Sequence, residues 1–327
     1  MDREHILVTG ATGFIGSAVV ERLLIQGQSV VAIVRESENY KNVDSLKNSG
    51  VILCEGNFYE ADVIEDIFEK FTFSSIIHCA ALRGAGAGGP DDYNRVNVRG
   101  TQLLLEAADK HKVKKFVFCS SVGVFGTIPA VVPADINTPL NPDNLYHQSK
   151  VLAEQKVREY IERGRDAVII RPTIVYGKGD NGFSKILVDL VRKKRLVLPF
   201  RDVKIHLLDV DKLAEVFNFF LTADIKKNNV FIIADRKSIS LSRLADLIHF
   251  YFYKKKYPRI LKIPGVCFDA ANLIFKFIKN EKWSVRMQLL SKDWYYLPTQ
   301  PDSGNSFDFS DTEKKFSAYL EAITDEK

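Results

Sequence analysis

The feature that most constrains the fold is a glycine-rich turn near the amino terminus. Residues 9–16 have glycines spaced GxxGxxG, between an apolar run at 5–9 and an amphipathic run at 14–26. The first glycine allows a tight turn, the second lets backbone N–H groups approach a phosphate, and the third lets helix and strand pack closely. In this context the turn predicts a loop that binds the pyrophosphate of a dinucleotide at a helix N-terminus.

Short apolar runs alternate with helical patterns through the first half of the chain. We expect strands at 5–9, 29–34, 51–54, 75–79, 115–119 and 167–171, separated by helices that include 14–26, 61–71, 93–111 and 144–163. Continuously apolar strands separated by helices indicate a parallel sheet that is covered on both faces. The predicted fold class is α/β, a doubly wound parallel sheet of the Rossmann type, with a smaller and mostly helical C-terminal substrate lobe.

The alternation loosens after residue 175, where prolines, aromatic residues and basic residues become denser. We assign 1–175 to the dinucleotide-binding domain and 176–327 mainly to the substrate lobe, with 204–235 returning to the first domain. In the lobe we expect helices at 184–194, 211–222, 241–253 and 268–279. The aromatic and basic residues at 250–256 and the apolar run at 273–278 are interpreted as a core helix, a substrate-pocket wall or a peripheral membrane contact.

The composition excludes several classes of protein. Of the 327 residues 46% are hydrophobic and 27% are charged, as in a globular protein with a substantial core. The net charge of +5 is too small to indicate a nucleic-acid partner. Four cysteines without a CxxC pair or a Cys/His cluster predict reduced thiols and no metal site. Without an apolar run of signal-peptide or membrane-span length, we expect a cytoplasmic protein with no stable membrane insertion.

A tyrosine and a lysine open the predicted helix at 144–163. Tyr146 and Lys150 are four residues apart and therefore lie on one helical face. An ammonium group beside a phenol lowers the pKa of the phenol, so Tyr146 is a candidate general acid and base for a carbonyl–alcohol pair. Ser120 and Ser121 end the fifth strand, at the edge where doubly wound sheets bind ligands.

Taken together, these motifs identify a resemblance. The chain resembles the extended short-chain dehydrogenase/reductases, in particular the NAD-dependent epimerase/dehydratase group, over roughly residues 5–215. The motifs that carry the resemblance lie at 9–16, 78–81, 97–101, 120–126, 146–150, 171–177 and 206–210. The remaining third of the chain is much less distinctive.

The resemblance implies a role for individual residues. Tyr146 would be the acid and base, Lys150 would lower its pKa and hold the nicotinamide ribose, Ser121 would orient the substrate oxygen, and Asn97 would stabilise the active-site backbone and a water. The implied cofactor-binding residues are Gly10, Thr12, Gly13, Phe14, Ile15, Gly16, Arg35, Asn57, Phe58, Cys79, Ala80, Ala81, Arg83, Tyr146, Lys150, Pro172 and Thr173. Candidate substrate contacts are Val122, Arg171 and His206.

The cofactor and one reaction class depend on two short segments. Arg35 ends the second predicted strand, where a basic residue pairs with the 2′-phosphate of NADP and an acidic residue binds the ribose of NAD. We therefore expect NADP(H), with NAD(H) as the alternative because Glu36 follows directly. Family dehydratases carry Thr-Asp-Glu where this chain has Ser121, Val122 and Gly123. The acidic groups needed to eliminate water are missing, which argues against 4,6-dehydratase chemistry.

Three functions stay open at this point. The first is an NAD(P)-dependent oxidoreductase that transfers hydride between nicotinamide and a secondary alcohol or ketone, with Tyr146 as acid and base. The second is an NAD-dependent nucleotide-sugar epimerase, although the segment 198–206 is shorter than is typical of nucleotide-sugar enzymes. The third, a non-catalytic dinucleotide sensor, is disfavoured because Ser121, Tyr146 and Lys150 are all present. The resemblance also implies a small-molecule substrate and a homodimer joined through helices 93–111 and 144–163.

Overall fold

A computed structural model describes residues 4–35, 40–84, 87–225, 228–301 and 308–325. Its strands are β1 (His5–Thr9), β2 (Val30–Val34), β3 (Ile52–Glu55), β4 (Phe73–His78), β5 (Lys115–Cys119), β6 (Ala167–Pro172), β7 (Ile174–Tyr176), β8 (Leu198–Pro199), β9 (Lys204–Ile205), β10 (Leu207–Asp209), β11 (Val230–Ile233), β12 (Ile239–Ser240) and β13 (Lys262–Ile263). Its helices are α1 (Phe14–Ile25), α2 (Tyr40–Asn48), α3 (Ala61–Lys70), α4 (Pro90–Tyr93), α5 (Gly100–Lys110), α6 (Leu145–Glu162), α7 (Phe183–Arg192), α8 (Val210–Phe220), α9 (Leu241–Tyr253), α10 (Gly265–Phe277), α11 (Glu281–Ser291) and α12 (Thr312–Asp325).

Seven strands form one parallel sheet in the order β11-β6-β5-β4-β1-β2-β3. The order reverses between β1 and β4, and in doubly wound sheets ligands bind at this point, beyond the carboxyl ends of the strands. This topology confirms the predicted fold class. The predicted strands of the sheet lie within two residues of the observed bounds, because their apolar runs are continuous and end at turn residues.

The apolar residues are divided among three packed layers. Side chains alternate along β1, so Ile6 and Val8 pack with α1 and α8 on one face, whereas Leu7 packs with α3, α5 and α6 on the other. A third cluster around α7, α9, α12 and the fully buried Trp294 forms the core of the C-terminal part. The sheet therefore has both faces covered, as its uninterrupted apolar strands require.

The structure departs from the predicted elements in two places. The single helix expected at 93–111 is made of α4, a π-helical segment at Asn94–Arg99 and α5. Helices α11 and α12 were not predicted; α11 shows no clear apolar period, whereas the period of Phe316, Tyr319, Leu320 and Ile323 in α12 was overlooked. Strand β11 joins the main sheet beside β6, whereas α9 to α12 lie outside it. The division of the chain at residue 175 stays a prediction.

One buried carboxylate joins elements of the two halves. Asp235, fully buried, accepts hydrogen bonds from Tyr176 Oη at 2.9 Å, from Thr312 Oγ1 at 2.8 Å and from the backbone N–H of Asp209 at 3.1 Å. Burial raises the pKa of Asp235 to about 6, and the three hydrogen bonds oppose that rise. Its partners come from β7, from the end of β10 and from α12, so the carboxyl group holds three elements together.

Replacing Asp235 by Asn should make stability depend differently on pH. A folded pKa of about 6, above the ordinary value of 3.8, means that the carboxyl group stabilises the fold at low pH and loses this contribution as the pH rises through 6. When the pH is lowered from about 7.5 to about 4.5, the free energy of unfolding of the wild type should therefore rise by about 2 kcal/mol relative to that of Asp235→Asn. Urea unfolding of both proteins at both pH values measures this change. If wild type and variant differed by the same free energy at both pH values, the raised pKa of Asp235 would be refuted.

Candidate active site

The glycine turn brings two parts of the backbone into close contact. Gly10 has a φ of +74°, and a Cβ on it would lie 2.7 Å from the backbone nitrogen of Ala80. A Cβ on Gly16 would lie 2.0 Å from the carbonyl oxygen of Gly10. Gly13 caps α1 without a side-chain hydrogen bond, which leaves the N–H groups of the first turn available to an anion. The turn therefore fits a dinucleotide pyrophosphate, and side chains at Gly10 or Gly16 would fill it.

A cleft of about 990 Å³ extends from this turn along the carboxyl edge of the sheet. Its size is at the upper end of small-molecule sites, which suits a dinucleotide together with a second ligand. The predicted residues that line it are Gly10, Thr12, Gly13, Phe14, Ile15, Gly16, Arg35, Phe58, Cys79, Ala80, Ala81, Arg83, Ser121, Val122, Tyr146, Lys150, Pro172 and Thr173. Glu36 lies outside the described residues.

Tyr146 lies in the first turn of α6, where Asn144 caps the helix by accepting a hydrogen bond from the N–H of His147 at 2.9 Å. Burial raises the pKa of the Tyr146 phenol, and Cys119 adds to the rise. The Arg83 guanidinium and then a hydrogen bond with the Ser121 side chain lower it. The phenol is thus held between groups that favour its neutral form and groups that favour its anion.

The two adjacent serines at the end of β5 have different partners. The buried Ser120 hydroxyl donates to a carboxylate oxygen of Glu154 at 2.6 Å. Ser121 caps the short turn that follows β5, where its Oγ accepts from the N–H of Gly123 at 3.0 Å. The hydroxyl beside the Tyr146 phenol is therefore that of Ser121, whereas Ser120 belongs to the support of the site.

Lys150 is buried, and its contacts differ from those that the resemblance implied. Its Nζ donates to the carbonyl oxygen of Cys119 at 2.7 Å and lies 4.7 Å from the ring centre of Phe118. Burial lowers the pKa of the Lys150 ammonium group. Arg83 and Ser121 are the groups that lower the pKa of Tyr146 in this structure, and the expectation that Lys150 also does so stays a prediction.

Asn97 lies behind the cleft and not in its lining. Its side chain donates to the carbonyl oxygen of Leu82 at 2.9 Å and to Ser149 Oγ at 2.8 Å, and it accepts from the N–H of Leu82 at 2.7 Å. Both amide hydrogens are thereby used. Asn97 therefore positions the backbone next to Arg83, as expected of it, and its contact with a water stays a prediction.

Three further predicted site residues do not line the cleft. Arg171 is buried and donates to Glu154 from Nε at 2.8 Å and from Nη2 at 2.6 Å, so it neutralises a buried carboxylate and is not a substrate contact. His206 is also buried, and its Nε2 donates to the carbonyl oxygen of Asp235 at 2.8 Å. The amide of Asn57 donates to Glu60 at 2.8 Å, and the neighbours of Asn57 reach the cleft instead.

His206 nevertheless supports the site from outside. Burial lowers its pKa to about 4, so the ring is neutral near pH 7, and its Nδ1 accepts the N–H of Tyr296 at 3.3 Å. Tyr296 lines the cleft together with Trp294, Val285 and Leu289. Sequence reasoning missed this wall, because the helix that carries two of its members had no recognisable pattern.

Two thiols lie at the carboxyl ends of neighbouring strands of the sheet. Cys79 directly follows β4 and Cys119 ends β5, the neighbouring strand, and both are free thiols that line the cleft. A hydrogen bond between them raises the pKa of Cys79, with burial adding to the rise. Cys79 is therefore a neutral thiol and not a nucleophile.

A polar pair at the edge of the cleft, of which only His147 lines it, was also missed. Although burial raises the pKa of Asp143, hydrogen bonds from His147 and Thr127 lower it to about 2, and His147 Nδ1 lies 2.7 Å from its carboxylate. The His147 ring fills the space beside Gly123, where a Cβ would lie 2.3 Å from Cδ2 of the ring. An acidic side chain at position 123, as in the dehydratases, would collide with this ring.

Comparison with known proteins agrees with this geometry. The parallel sheet, the glycine turn and the tyrosine–lysine cleft define a dinucleotide-binding protein of the short-chain dehydrogenase/reductase type. A sequence profile of the NAD dependent epimerase/dehydratase family matches residues 6–234, and the chain belongs to that family. The profile ends before α9, so the apolar wall of the cleft formed by Val285, Leu289, Trp294 and Tyr296 lies outside the match.

Two proteins of similar sequence share the name UDP-glucose 4-epimerase, one of them as a putative enzyme. The chain is 31% identical over 255 residues to a putative UDP-glucose 4-epimerase of Methanocaldococcus jannaschii, covering 74% of this chain and 81% of that protein. It is 33% identical over 194 residues to the human UDP-glucose 4-epimerase, covering 54% of this chain and 56% of that one. The chain thus spans only about half the length of the human relative.

Solved structures support the fold alone, because their identities are low. A UDP-glucose 4-epimerase of Thermotoga maritima with UDP-glucose has a TM-score of 0.76 at 20% identity, covering 98% of this chain and 99% of that one. The Bordetella bronchiseptica enzyme WbmG with NAD has a TM-score of 0.76 at 18% identity, covering 99% of this chain and 95% of that one. A dTDP-glucose 4,6-dehydratase of Bacillus anthracis with NAD has a TM-score of 0.75 at 18% identity, covering 99% of this chain and 97% of that one. An epimerase and a dehydratase fit equally well, so the fold does not select the reaction.

Replacing Gly123 by Ala should disturb the cleft through His147. The new Cβ would lie 2.3 Å from a ring that Asp143 and Asn144 hold in place, so we expect a loss of about 1–3 kcal/mol of unfolding free energy. Gly265→Ala is the control, because no heavy atom lies within 4 Å of that Cβ. Thermal unfolding measures both variants. Gly123→Ala combined with His147→Ala should recover stability, and failure to do so would contradict the steric explanation.

Proposed function

We propose that this chain is an NAD-dependent epimerase of nucleotide sugars, with UDP-glucose and its 4-epimer as the substrates to test first. The observation that carries the proposal is the cleft itself. It joins a pyrophosphate turn to Tyr146 and Ser121 and has no acidic side chain at position 123. Such a site can move a proton to and from a hydroxyl but lacks the groups that eliminate water. The relatives named UDP-glucose 4-epimerase support this substrate class.

The chain's own residues would handle the proton. Tyr146 takes the proton of the substrate hydroxyl as that carbon is oxidised and returns it when the ketone is reduced on its other face. Ser121 holds the substrate oxygen next to the phenol. Arg83 and Ser121 lower the pKa of Tyr146 and so increase the fraction that can act as a base. The bound dinucleotide supplies the acceptor and donor of hydride.

We infer that the dinucleotide is NAD. The turn around Gly10 and Gly16 would hold its pyrophosphate, Ala80 and Ala81 would line its path, and Pro172 and Thr173 would flank the nicotinamide. The preference for NADP that Arg35 suggested has no support in the comparisons. The family is named for NAD, and the WbmG structure contains NAD. Arg35 does line the cleft, so it remains the residue to vary when NAD and NADP are compared.

A second candidate function is a dehydrogenase or reductase acting on a different alcohol or ketone. The observation in its favour is the apolar wall formed by Val285, Leu289, Trp294 and Tyr296. Because this wall lies outside the residues that match the family, the scaffold of the substrate can differ while the chemistry at Tyr146 stays the same.

Release of the bound nucleotide separates the two functions. Denaturing the purified protein and identifying the nucleotide by mass spectrometry should give NAD in near-stoichiometric amount, because an epimerase regenerates its cofactor in every cycle. The protein should also interconvert UDP-glucose and UDP-galactose without net change in NADH absorbance. An empty protein that oxidises NADPH with a ketone substrate would favour the reductase instead.

Tyr146→Phe should lower the epimerisation rate by at least about 100-fold, because the phenolic proton carrier is lost. Retention of bound NAD would show that the variant is folded. Tyr295→Phe is the matched control, since Tyr295 lies between two cleft residues but does not line the cleft itself. Full activity of Tyr146→Phe would overturn the catalytic role and revive the sensor hypothesis.

We also propose a homodimer formed through α5 and α6. The two helices pack on each other, and Leu152 of α6 is 47% exposed. An exposed leucine on a helix face that the family resemblance places in a four-helix interface should be covered by the second subunit.

Leu152→Asp should convert the dimer to a monomer, because a carboxylate cannot be buried there without a partner. Leu140→Asp, at a loop leucine that is 43% exposed, should leave the dimer intact. Sedimentation velocity of the wild type and both variants tests the interface. A monomeric wild type would refute it.

A further inference from the structure

The helix pair α10–α11 has an unusual outer surface. On its inner side, Phe268 of α10 is buried, Phe275 stacks on Trp283 of α11 with ring centres 5.7 Å apart, and Asn272 accepts a hydrogen bond from Ser284 at 2.7 Å. These contacts fix the orientation of α10 on α11. The opposite side of α10 therefore faces away from the pair.

That opposite side is apolar and exposed. Val266 is 69% exposed, Leu273 70%, Ile274 60%, Phe277 88% and Ile278 57%. At about 100° per residue, they occupy one continuous sector of about 140° around the helix axis. We call these five residues the apolar face of α10. A surface helix of a globular protein normally turns such a stripe to the core, and large exposed apolar patches mark interaction sites.

The segment that carries the apolar face is strongly basic. Residues 254–292 contain ten Lys and Arg but only Asp269 and Glu281 as acidic residues, a net charge of +8. The whole chain has +5, so the rest of it is negative by three. Among the described residues, Asp269 lies 3.8 Å from Lys292, whereas no ion pair neutralises the exposed Lys276, Lys279 or Lys282. The charge that would complement this surface is negative.

We propose that the apolar face of α10, together with the exposed Lys276, Lys279 and Lys282 of the same segment, binds the surface of an anionic lipid bilayer. Apolar side chains would enter the boundary of the acyl chains while the lysines remain at the phosphate level, as in helices that lie in a membrane interface. Trp283 stacks on the inner side of α10 and is 43% exposed, so its indole is a spectroscopic reporter of contact between the helix pair and the bilayer.

The helix lies on the membrane in this proposal and does not cross it. Its 13 residues extend about 20 Å, less than the hydrocarbon thickness of a bilayer. Among the described residues, no helix combines the length and the apolar character that a membrane span requires. A second copy of this chain is disfavoured as the occupant, because contact between two such faces would oppose two segments of net charge +8.

Vesicle binding by the full-length protein tests the proposal. The purified protein should sediment with vesicles of phosphatidylcholine and phosphatidylglycerol, and much less with phosphatidylcholine alone or in high salt. Trp283 emission should shift to shorter wavelength on binding. Trp294, the only other tryptophan, is 1% exposed and should contribute no shift. Wild-type protein that stays in the supernatant with anionic vesicles would overturn the proposal.

Substitutions separate the apolar and electrostatic contributions. Leu273→Ser combined with Phe277→Ser should weaken partitioning at least about tenfold. Ile25→Ser should not, although Ile25 has the same 70% exposure as Leu273. Lys276→Glu combined with Lys279→Glu should remove the dependence on anionic lipid. The proposal would be overturned if the Leu273/Phe277 variant bound vesicles as well as the wild type does. It would also be overturned if the wild type did not bind vesicles and the variant lost a dimer that the wild type forms, because the apolar face would then be a subunit interface. Epimerase activity is measured separately, so neither result bears on the reaction.

Discussion

The close approach of the β1–α1 turn to the end of β4 is the constraint on which the rest of the site depends. Gly10 lies against the backbone of Ala80, and any side chain there would separate the two strand ends where the order of the sheet reverses. That contact sets the floor of the cleft and its distance from the first turn of α1. The residues after β4 continue directly into Arg83, whose charge reaches the phenol of Tyr146. The dinucleotide site and the proton-transfer site are therefore connected by a few residues of backbone.

A buried hydrogen-bond network holds α6, which carries Tyr146, in position against β5 and β6. Glu154 on α6 accepts hydrogen bonds from Ser120 at the end of β5 and from Arg171 on β6. The carboxylate thus ties the catalytic helix to two strands. Removing one partner of such a buried pair leaves an uncompensated charge, typically at a cost of about 3–5 kcal/mol. Arg171 and Ser120 act through this support, and the hydroxyl that remains beside Tyr146 is the one on Ser121.

The sequence predicted the parts of this arrangement that depend on local spacing. The glycine turn, the Tyr146–Lys150 pair and the apolar strands each follow from contacts within a few residues, and their positions along the chain were recovered. The partners of buried polar groups could not be predicted, because Arg171 meets Glu154 and His206 meets Asp235 only after the chain folds. The same reason hid the Asp143–His147 pair, whose ring occupies the space that a side chain at position 123 would need. Helix α11 was not predicted because it shows no clear apolar period.

The family match and the rest of the chain define two different parts of the molecule. Residues 6–234, which match the family, contain the glycine turn and the residues to which we assign proton transfer. The later residues supply Val285 and Leu289 to the cleft and, through the same helix pair, the exposed face of α10. Because α11 contacts the cleft on one side and α10 on the other, the helix pair that lines the proposed substrate site also carries the proposed membrane surface. Changes in this helix pair can therefore alter the substrate and the location of the enzyme together while the chemistry at Tyr146 is kept.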